Sequence, residues 1–201
     1  MIAINYVVLD AARMNDRMDE AKQLNSLNSS LFSEKGDQYL QTVAPYLFSY
    51  ELNTEFAFWL REHAWGNSWG YYICSRVNNE QLSRHFRNFN TVLTEDGSEL
   101  YFRYYDPRVL RMFLVSCDVL QLTEFFGPIE KFVCEDEDHE YALIFSFDGR
   151  RLIKERVKTD TIFTSGTTEL SNVEKLPAKR ESSGNENGSD LQTKPPRWFS
   201  K

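Results

Sequence analysis

The segment from Leu100 to Arg111 constrains the fold most, because it joins a strand pattern directly to a helix pattern. Side chains alternate in character up to residue 105, as they do along a half-buried β-strand. Asp106 follows at once and is a preferred N-cap residue, and Pro107 suits the first position of a helix. A strand that turns into a helix without a loop leaves the chain few arrangements, and it favours an α/β domain.

Strand and helix patterns alternate along most of the remaining sequence. Strands are predicted over 4–9, 43–50, 69–75, 91–94, 99–105, 141–147 and 151–157. Helices are predicted near 53–65, 78–89 and 106–117, with a charged surface helix over 13–23. We therefore expect a single α/β (α+β mixed) domain over residues 1–163, in which helices flank a mixed β-sheet.

The composition changes at about residue 164, after which Ser, Gly, Asn, Glu, Lys and Pro dominate. Few apolar residues follow until Trp198 and Phe199. Such a segment buries too little apolar surface to offset the entropy of ordering it. We therefore expect 164–201 to be a polar, flexible, disordered C-terminal tail, whose Trp198-Phe199 pair is a candidate docking motif.

Charge and cysteine content indicate the class of partner and the compartment. The formal net charge is -7, which disfavours binding to nucleic acid or to a membrane through a basic patch. The N-terminal sequence predicts a first strand rather than a signal peptide. Cys74, Cys117 and Cys134 are widely spaced, as free thiols in a reducing cytosol often are. We expect a soluble, cytoplasmic protein.

Motifs for catalysis or metal binding are missing from the sequence. It contains no G-x-S-x-G elbow, P-loop or dinucleotide fingerprint. His63 is expected to be structural, and His85 is expected on an exposed helix face. The acidic run over 135–140 lacks the glycine and the final glutamate of a calcium loop, so we interpret it as a solvated connection. We expect no catalytic residue, no cofactor and no metal site.

Aromatic and arginine side chains are the natural candidates for contacts with another protein, since these types dominate binding hot spots. Trp65 and Trp69 form either wedges in the core or a rigid ledge for a partner. Tyr101 and Tyr105 are expected on one face of the 99–105 strand. The candidate partner-binding residues are Trp65, Trp69, Tyr101, Tyr105, Arg108, Arg111, Trp198 and Phe199.

Arginine beside the positive end of a helix dipole needs a compensating charge. Asp106 can supply it, both by capping the helix that starts at Pro107 and by pairing with Arg103 or a neighbouring arginine. Arg103 and Asp106 are therefore predicted to form a structural clasp.

Seven short motifs occur in order and carry a resemblance to a known family. They are Val8-Leu-Asp-Ala-Ala-Arg13, Ala44-Pro-Tyr-Leu47, Trp59-Leu60, Trp65-Gly-Asn-Ser-Trp-Gly70, Leu82-Ser-Arg-His-Phe-Arg87, Leu100-Tyr-Phe-Arg-Tyr-Tyr-Asp-Pro-Arg-Val-Leu110 and Phe125-Phe-Gly-Pro128. Together, over residues 6–128, they resemble the effector-adaptor (effector-chaperone) domain of bacterial type VI secretion systems, the Tap/TEC family or domain of unknown function 4123.

The resemblance implies a non-enzymatic adaptor. Such a protein holds a toxic effector in the cytoplasm of the producing cell and loads it onto the spike protein of the secretion machine. Many relatives carry a sizeable second lobe after the Phe-Phe-Gly-Pro motif, whereas this chain has a β-rich stretch to about 163 and a polar tail. Two alternatives are left open: a cytoplasmic immunity-type protein, and a hydrolase that uses Asp10, Asp106 and His85.

Overall fold

The computed structural model describes residues 4–32, 42–93 and 97–163. The expected turn residue Asp96 and the expected tail, with Trp198 and Phe199, lie outside the described residues. The strands are β1 Tyr6–Asp10, β2 Asn28–Ser30, β3 Pro45–Ser49, β4 Gly70–Ser75, β5 Thr91–Leu93, β6 Glu99–Tyr101, β7 Ile129–Glu135, β8 Tyr141–Phe147 and β9 Leu152–Lys158. The helices are α1 Ala11–Met14, α2 Arg17–Leu24, α3 Glu55–His63, α4 Asn79–Arg87, α5 Pro107–Ser116, α6 Val119–Phe126 and α7 Thr159–Phe163.

Within the described residues, seven strands form one sheet in the order β2-β3-β1-β4-β7-β8-β9, and β5 pairs with β6 in a separate hairpin. The predicted α/β domain, with helices beside the sheet, is confirmed. Each pairing of neighbouring strands is antiparallel, so no parallel pair occurs among the strands that the structure describes. None of the helices in these ranges has the length and apolarity needed to cross a membrane.

Strand β1 lies inside the sheet and is buried on both of its faces. Tyr6 and Val8 belong to one apolar core, and Val7 and Leu9 belong to the other. The first core contains residues of α4, α5 and α6, and the second contains residues of α1, α2, α3 and α7. A strand covered on both sides must be apolar throughout, which explains why the sequence of β1 does not alternate.

Three helices begin where their capping residues predict. Thr54 accepts a hydrogen bond from the backbone of Ala57 at the start of α3. At the start of α4, Asn78 and Gln81 bond to each other's backbone N–H in a capping box. Asp106 caps α5, as predicted. These helices were predictable because each start signal involves neighbouring residues only.

The structure contains four elements that the sequence interpretation does not include, β2, β7, α6 and α7, and it changes two others. The predicted 99–105 strand ends at Tyr101, because the chain turns before α5 and Asp106 N–H bonds to the Arg103 carbonyl. The acidic run is not wholly a solvated connection, since Glu135 is the last residue of β7 and is buried. The carboxylate of Glu135 accepts hydrogen bonds from Gly66 and Ser68, which are distant in sequence, and so its burial has no local signal.

Gly70 starts β4 and lies opposite Leu9 of β1. A Cβ atom at Gly70 would overlap the carbonyl oxygen of Val8, which is backbone and cannot turn aside. We expect Gly70→Ala to lower the free energy of unfolding by about 3 kcal/mol or more, because the two strands would have to separate. Urea unfolding followed by circular dichroism measures this change.

Gly149 provides the matched control for this variant. Its φ of +86° disfavours other residues, but a Cβ there would meet nothing within 4 Å. Gly149→Ala should therefore cost only about 1 kcal/mol. Equal losses in the two variants would contradict the close approach of β1 and β4 at Gly70.

A candidate protein-binding site around helix α5

Asp106 joins the start of α5 to the side chain of Arg108. Its Oδ1 accepts hydrogen bonds from the backbone N–H and the Nε of Arg108, each at 3.0 Å, and its Oδ2 accepts one from Nη2 at 2.6 Å. Burial opposes ionisation of Asp106, but the hydrogen bonds and charge of Arg108 outweigh it and lower the pKa of this carboxyl. The carboxylate thereby offsets an arginine at the positive end of the helix dipole.

Of the two predicted partners of Asp106, the neighbouring arginine, Arg108, forms the pair, and Arg103 pairs with Asp10 instead. Arg103 Nη2 donates to Asp10 Oδ2 at 2.6 Å. Asp10 is the last residue of β1, is fully buried, and also accepts the N–H of Ala12 as the N-cap of α1. Burial raises the pKa of Asp10, and Arg103 offsets only part of this effect. The pair connects the sheet interior to the segment before α5.

Arg111 and Glu135 connect α5 to the Trp65–Gly70 segment. Arg111 Nη1 donates to the backbone carbonyl of Glu135 at 2.6 Å. The buried carboxylate of Glu135 accepts the N–H of Gly66 at 2.6 Å and the hydroxyl of Ser68 at 2.7 Å. Arg111 is a predicted partner contact, but in the structure it also forms a hydrogen bond within the protein.

Arg13 completes a group of four arginines, Arg13, Arg103, Arg108 and Arg111, that we call the arginine cluster. Arg13 Nη2 donates to the carbonyl of Asn67 at 3.2 Å, and its charge contributes to the low pKa of Asp106. The side chains of Arg103 and Arg108 are 46% and 50% exposed, whereas those of their carboxylate partners are 0% and 3% exposed. Arg103 and Arg108 are therefore half exposed, whereas the carboxylates that pair with them lie in the interior.

Beyond this cluster, α5 and the start of α6 expose a row of large apolar side chains that we call the α5 face. Its residues are Met112, Val115, Val119 and Leu120, with exposures of 76%, 62%, 49% and 68%. A shallow groove of about 660 Å³ runs along the helix beside Met112 and reaches Arg108. Sequence reasoning missed this face, although Met112 and Val115 lie off the buried stripe of Leu110, Phe113 and Leu114.

The predicted tryptophan ledge is packed against the protein itself. Trp65 is half-buried, donates its indole N–H to the carbonyl of His139 at 2.9 Å and lies edge-on to Phe163. Trp69 is also half-buried and contacts Trp59, with 5.9 Å between ring centroids. Both indoles therefore act mainly as wedges beside the second core.

The two candidate tyrosines have different environments. Tyr101 ends β6 and is 59% exposed. Tyr105 lies beyond the strand, is 6% exposed and packs against Tyr104 in the first core. Of these two tyrosines, Tyr101 alone is exposed enough to contact a partner, and the expected shared strand face does not form.

His85 and Cys117 are half-buried, and Cys74 and Cys134 are buried. His85 is half-buried and not on an exposed face as expected; its Nε2 lies 2.8 Å from the carbonyl of Phe125, and burial lowers its pKa. The cysteines are free thiols, and burial raises the pKa of Cys74 to about 11 and those of Cys117 and Cys134 to about 12. No group of three or more His, Cys, Asp or Glu among the described residues is placed to hold a metal ion.

Removing the Asp106 carboxylate should destabilise the start of α5. We expect Asp106→Ala to lower the free energy of unfolding by about 1–3 kcal/mol, because the helix loses its cap and Arg108 loses its partner. Asp106→Asn retains a capping oxygen and should cost less than about 1 kcal/mol. Thermal unfolding of the three proteins measures the difference, and an unchanged midpoint for Asp106→Ala would contradict the capping role.

Comparison with known proteins places the chain in a family defined by sequence. No curated protein and no solved structure is significantly similar to it. The family model described as domain of unknown function DUF4123 matches residues 5–124, which form more than half of the chain and include β1, the arginine cluster, α5 and most of α6. The chain therefore belongs to the DUF4123 family.

Proposed function

We propose that this protein is a non-catalytic adaptor that holds a type VI secretion effector in the producing cell and helps to load it onto the spike protein. Membership of the DUF4123 family and the resemblance of its motifs to effector adaptors support this proposal. The observation that carries it is the α5 face, where Met112 and Leu120 are each more than 60% exposed. Large apolar side chains grouped on a surface are typical of a protein-binding site.

The position of the face supports the same function. It directly follows the Phe102–Leu110 segment, which carries the most specific part of the resemblance. The ion pairs of Asp10 and Asp106 hold that segment, so the surface is presented on a fixed helix. A preorganised surface loses less conformational entropy when it binds. Met and Arg are also enriched at protein interfaces.

The residues of the alternative hydrolase have other roles in the fold. Asp10 is fully buried against Arg103, and Asp106 is occupied by Arg108 and the helix N-terminus. His85 lies against the end of α6, where a Cβ on Gly127 would meet its ring. These contacts favour structural roles for all three side chains, in agreement with a binding protein.

Co-purification tests the proposed function. The full chain, tagged and produced in its native cell, should retain a type VI effector and a spike protein, each identified by mass spectrometry, through washing and size exclusion. Deletion of its gene should abolish secretion of that effector while leaving the effector's synthesis unchanged. A tagged chain that retains neither protein, or a deletion strain that secretes the effector normally, would contradict the proposal.

A further inference from the structure

The α5 face is apolar along one side of a regular helix. Met112 and Val115 lie four and seven positions after Arg108, so the three side chains lie along one stripe of α5. Val119 and Leu120, which begin α6 after the break at Cys117, are exposed apolar residues as well. The ten residues of α5 make the stripe about 15 Å long, which corresponds to about three helical turns.

The end of this stripe nearest the start of α5 is positive. Arg108 lines the groove with half of its side chain exposed, and Arg103 is exposed to a similar extent. Their carboxylate partners are buried, so the negative charge lies on the interior side of each pair. Because the chain as a whole has a formal charge of -7, this positive surface is locally opposite to the general charge. It is complementary to an acidic group.

The backbone of the site restricts the conformation of the partner. The groove is lined by Asp106 and by residues of α5, whose peptide groups are bonded within the helix. An extended partner segment would find no sheet edge in this groove with which to form a ladder. A helical segment satisfies its own backbone and places apolar side chains three and four residues apart on one face.

We propose that the α5 face binds an amphipathic helix of the effector, with acidic residues at the end that lies over Arg103 and Arg108. This inference rests on the proposed adaptor function and names the partner's chemistry at that site. Apolar side chains of the partner helix pack on Met112, Val115, Val119 and Leu120. The acidic end fixes the direction of the helix along the groove, because the reverse orientation removes the acidic groups from the arginines.

Photo-crosslinking identifies what lies on the face. In the full chain, Met112→p-benzoylphenylalanine is irradiated with the co-purified effector, and the linked peptide is sequenced by mass spectrometry. The linked segment should be helical in pattern, with apolar residues at i, i+3 or i+4 and i+7 and acidic residues at one end. Phe58→p-benzoylphenylalanine is the matched control, since Phe58 is 62% exposed on α3, which packs on the other side of the sheet.

Each result of this experiment is decisive. If the effector is retained but Met112 does not link to it, whether or not Phe58 does, the inference is overturned and the adaptor function is left intact. Links from Met112 to a second copy of this chain, or to its own residues 164–201, would also overturn it. If the unmodified chain does not retain the effector at all, the proposed function itself fails, and this outcome is seen before any irradiation.

Substitution of Met112 by glutamate or by lysine tests for acidic residues on the partner. Neither change disturbs the ion pairs of Asp10 and Asp106. Met112→Glu should weaken effector binding more than about 30-fold, because it removes an apolar contact and repels acidic residues. Met112→Lys should weaken binding less than about tenfold, since its stem keeps part of the contact and its charge attracts the partner. Phe58→Glu and Phe58→Lys should each change the affinity less than about twofold.

Calorimetric titration of the purified effector into these variants gives the affinities, and circular dichroism verifies that each variant is folded. Equal weakening by glutamate and lysine at Met112 would overturn the acidic end of the proposed partner. Unchanged affinity in both Met112 variants would overturn the site.

Discussion

The ion pair between Asp10 and Arg103 is the interaction on which the arrangement of the site depends. Asp10 ends a strand in the interior of the sheet, and Arg103 precedes α5 by four residues, so the pair connects the sheet to the helix. A buried carboxylate without a partner is costly, and burial here already raises the pKa of Asp10. The segment before α5 is therefore confined to positions in which Arg103 reaches Asp10. The Asp106–Arg108 pair then fixes the first turn of the helix.

The helix starts that were predicted correctly depend on hydrogen bonds between neighbouring residues. The capping residues Thr54, Asn78 and Asp106 identified the starts of three helices, because each cap bonds to backbone only two or three residues away. Helix α6 has an equally local signal in the Asp118–Gln121 capping box, and sequence reasoning overlooked it. The partner of Arg103 had no such signal, since Asp10 lies 93 positions earlier in the chain.

The candidate site was predicted less well than the fold. Tyr105 and the two tryptophans were selected by residue type, but type does not distinguish a core aromatic from an exposed one. The exposed side chains Met112 and Val115 are less conspicuous in sequence, and their significance follows only from exposure in the folded chain. Arg108 and Tyr101 remain candidates from the sequence that also lie at the surface.

The buried carboxylates of Asp10 and Asp106 stabilise the fold, and they also affect the charge of the surface above them. They pair with Arg103 and Arg108 on the interior side, and about half of each arginine side chain remains exposed. A fixed helix with an apolar stripe and a positive end suits the reversible holding of a protein segment, because a few anchors carry most of the binding energy.

Hydrogen–deuterium exchange of the full chain, free and saturated with its effector, tests this account most directly. It predicts that the effector slows exchange in residues 107–120 and leaves residues 55–63 of α3 unchanged, because only the α5 face becomes covered. Slower exchange in α3 with no change across residues 107–120 would contradict the account.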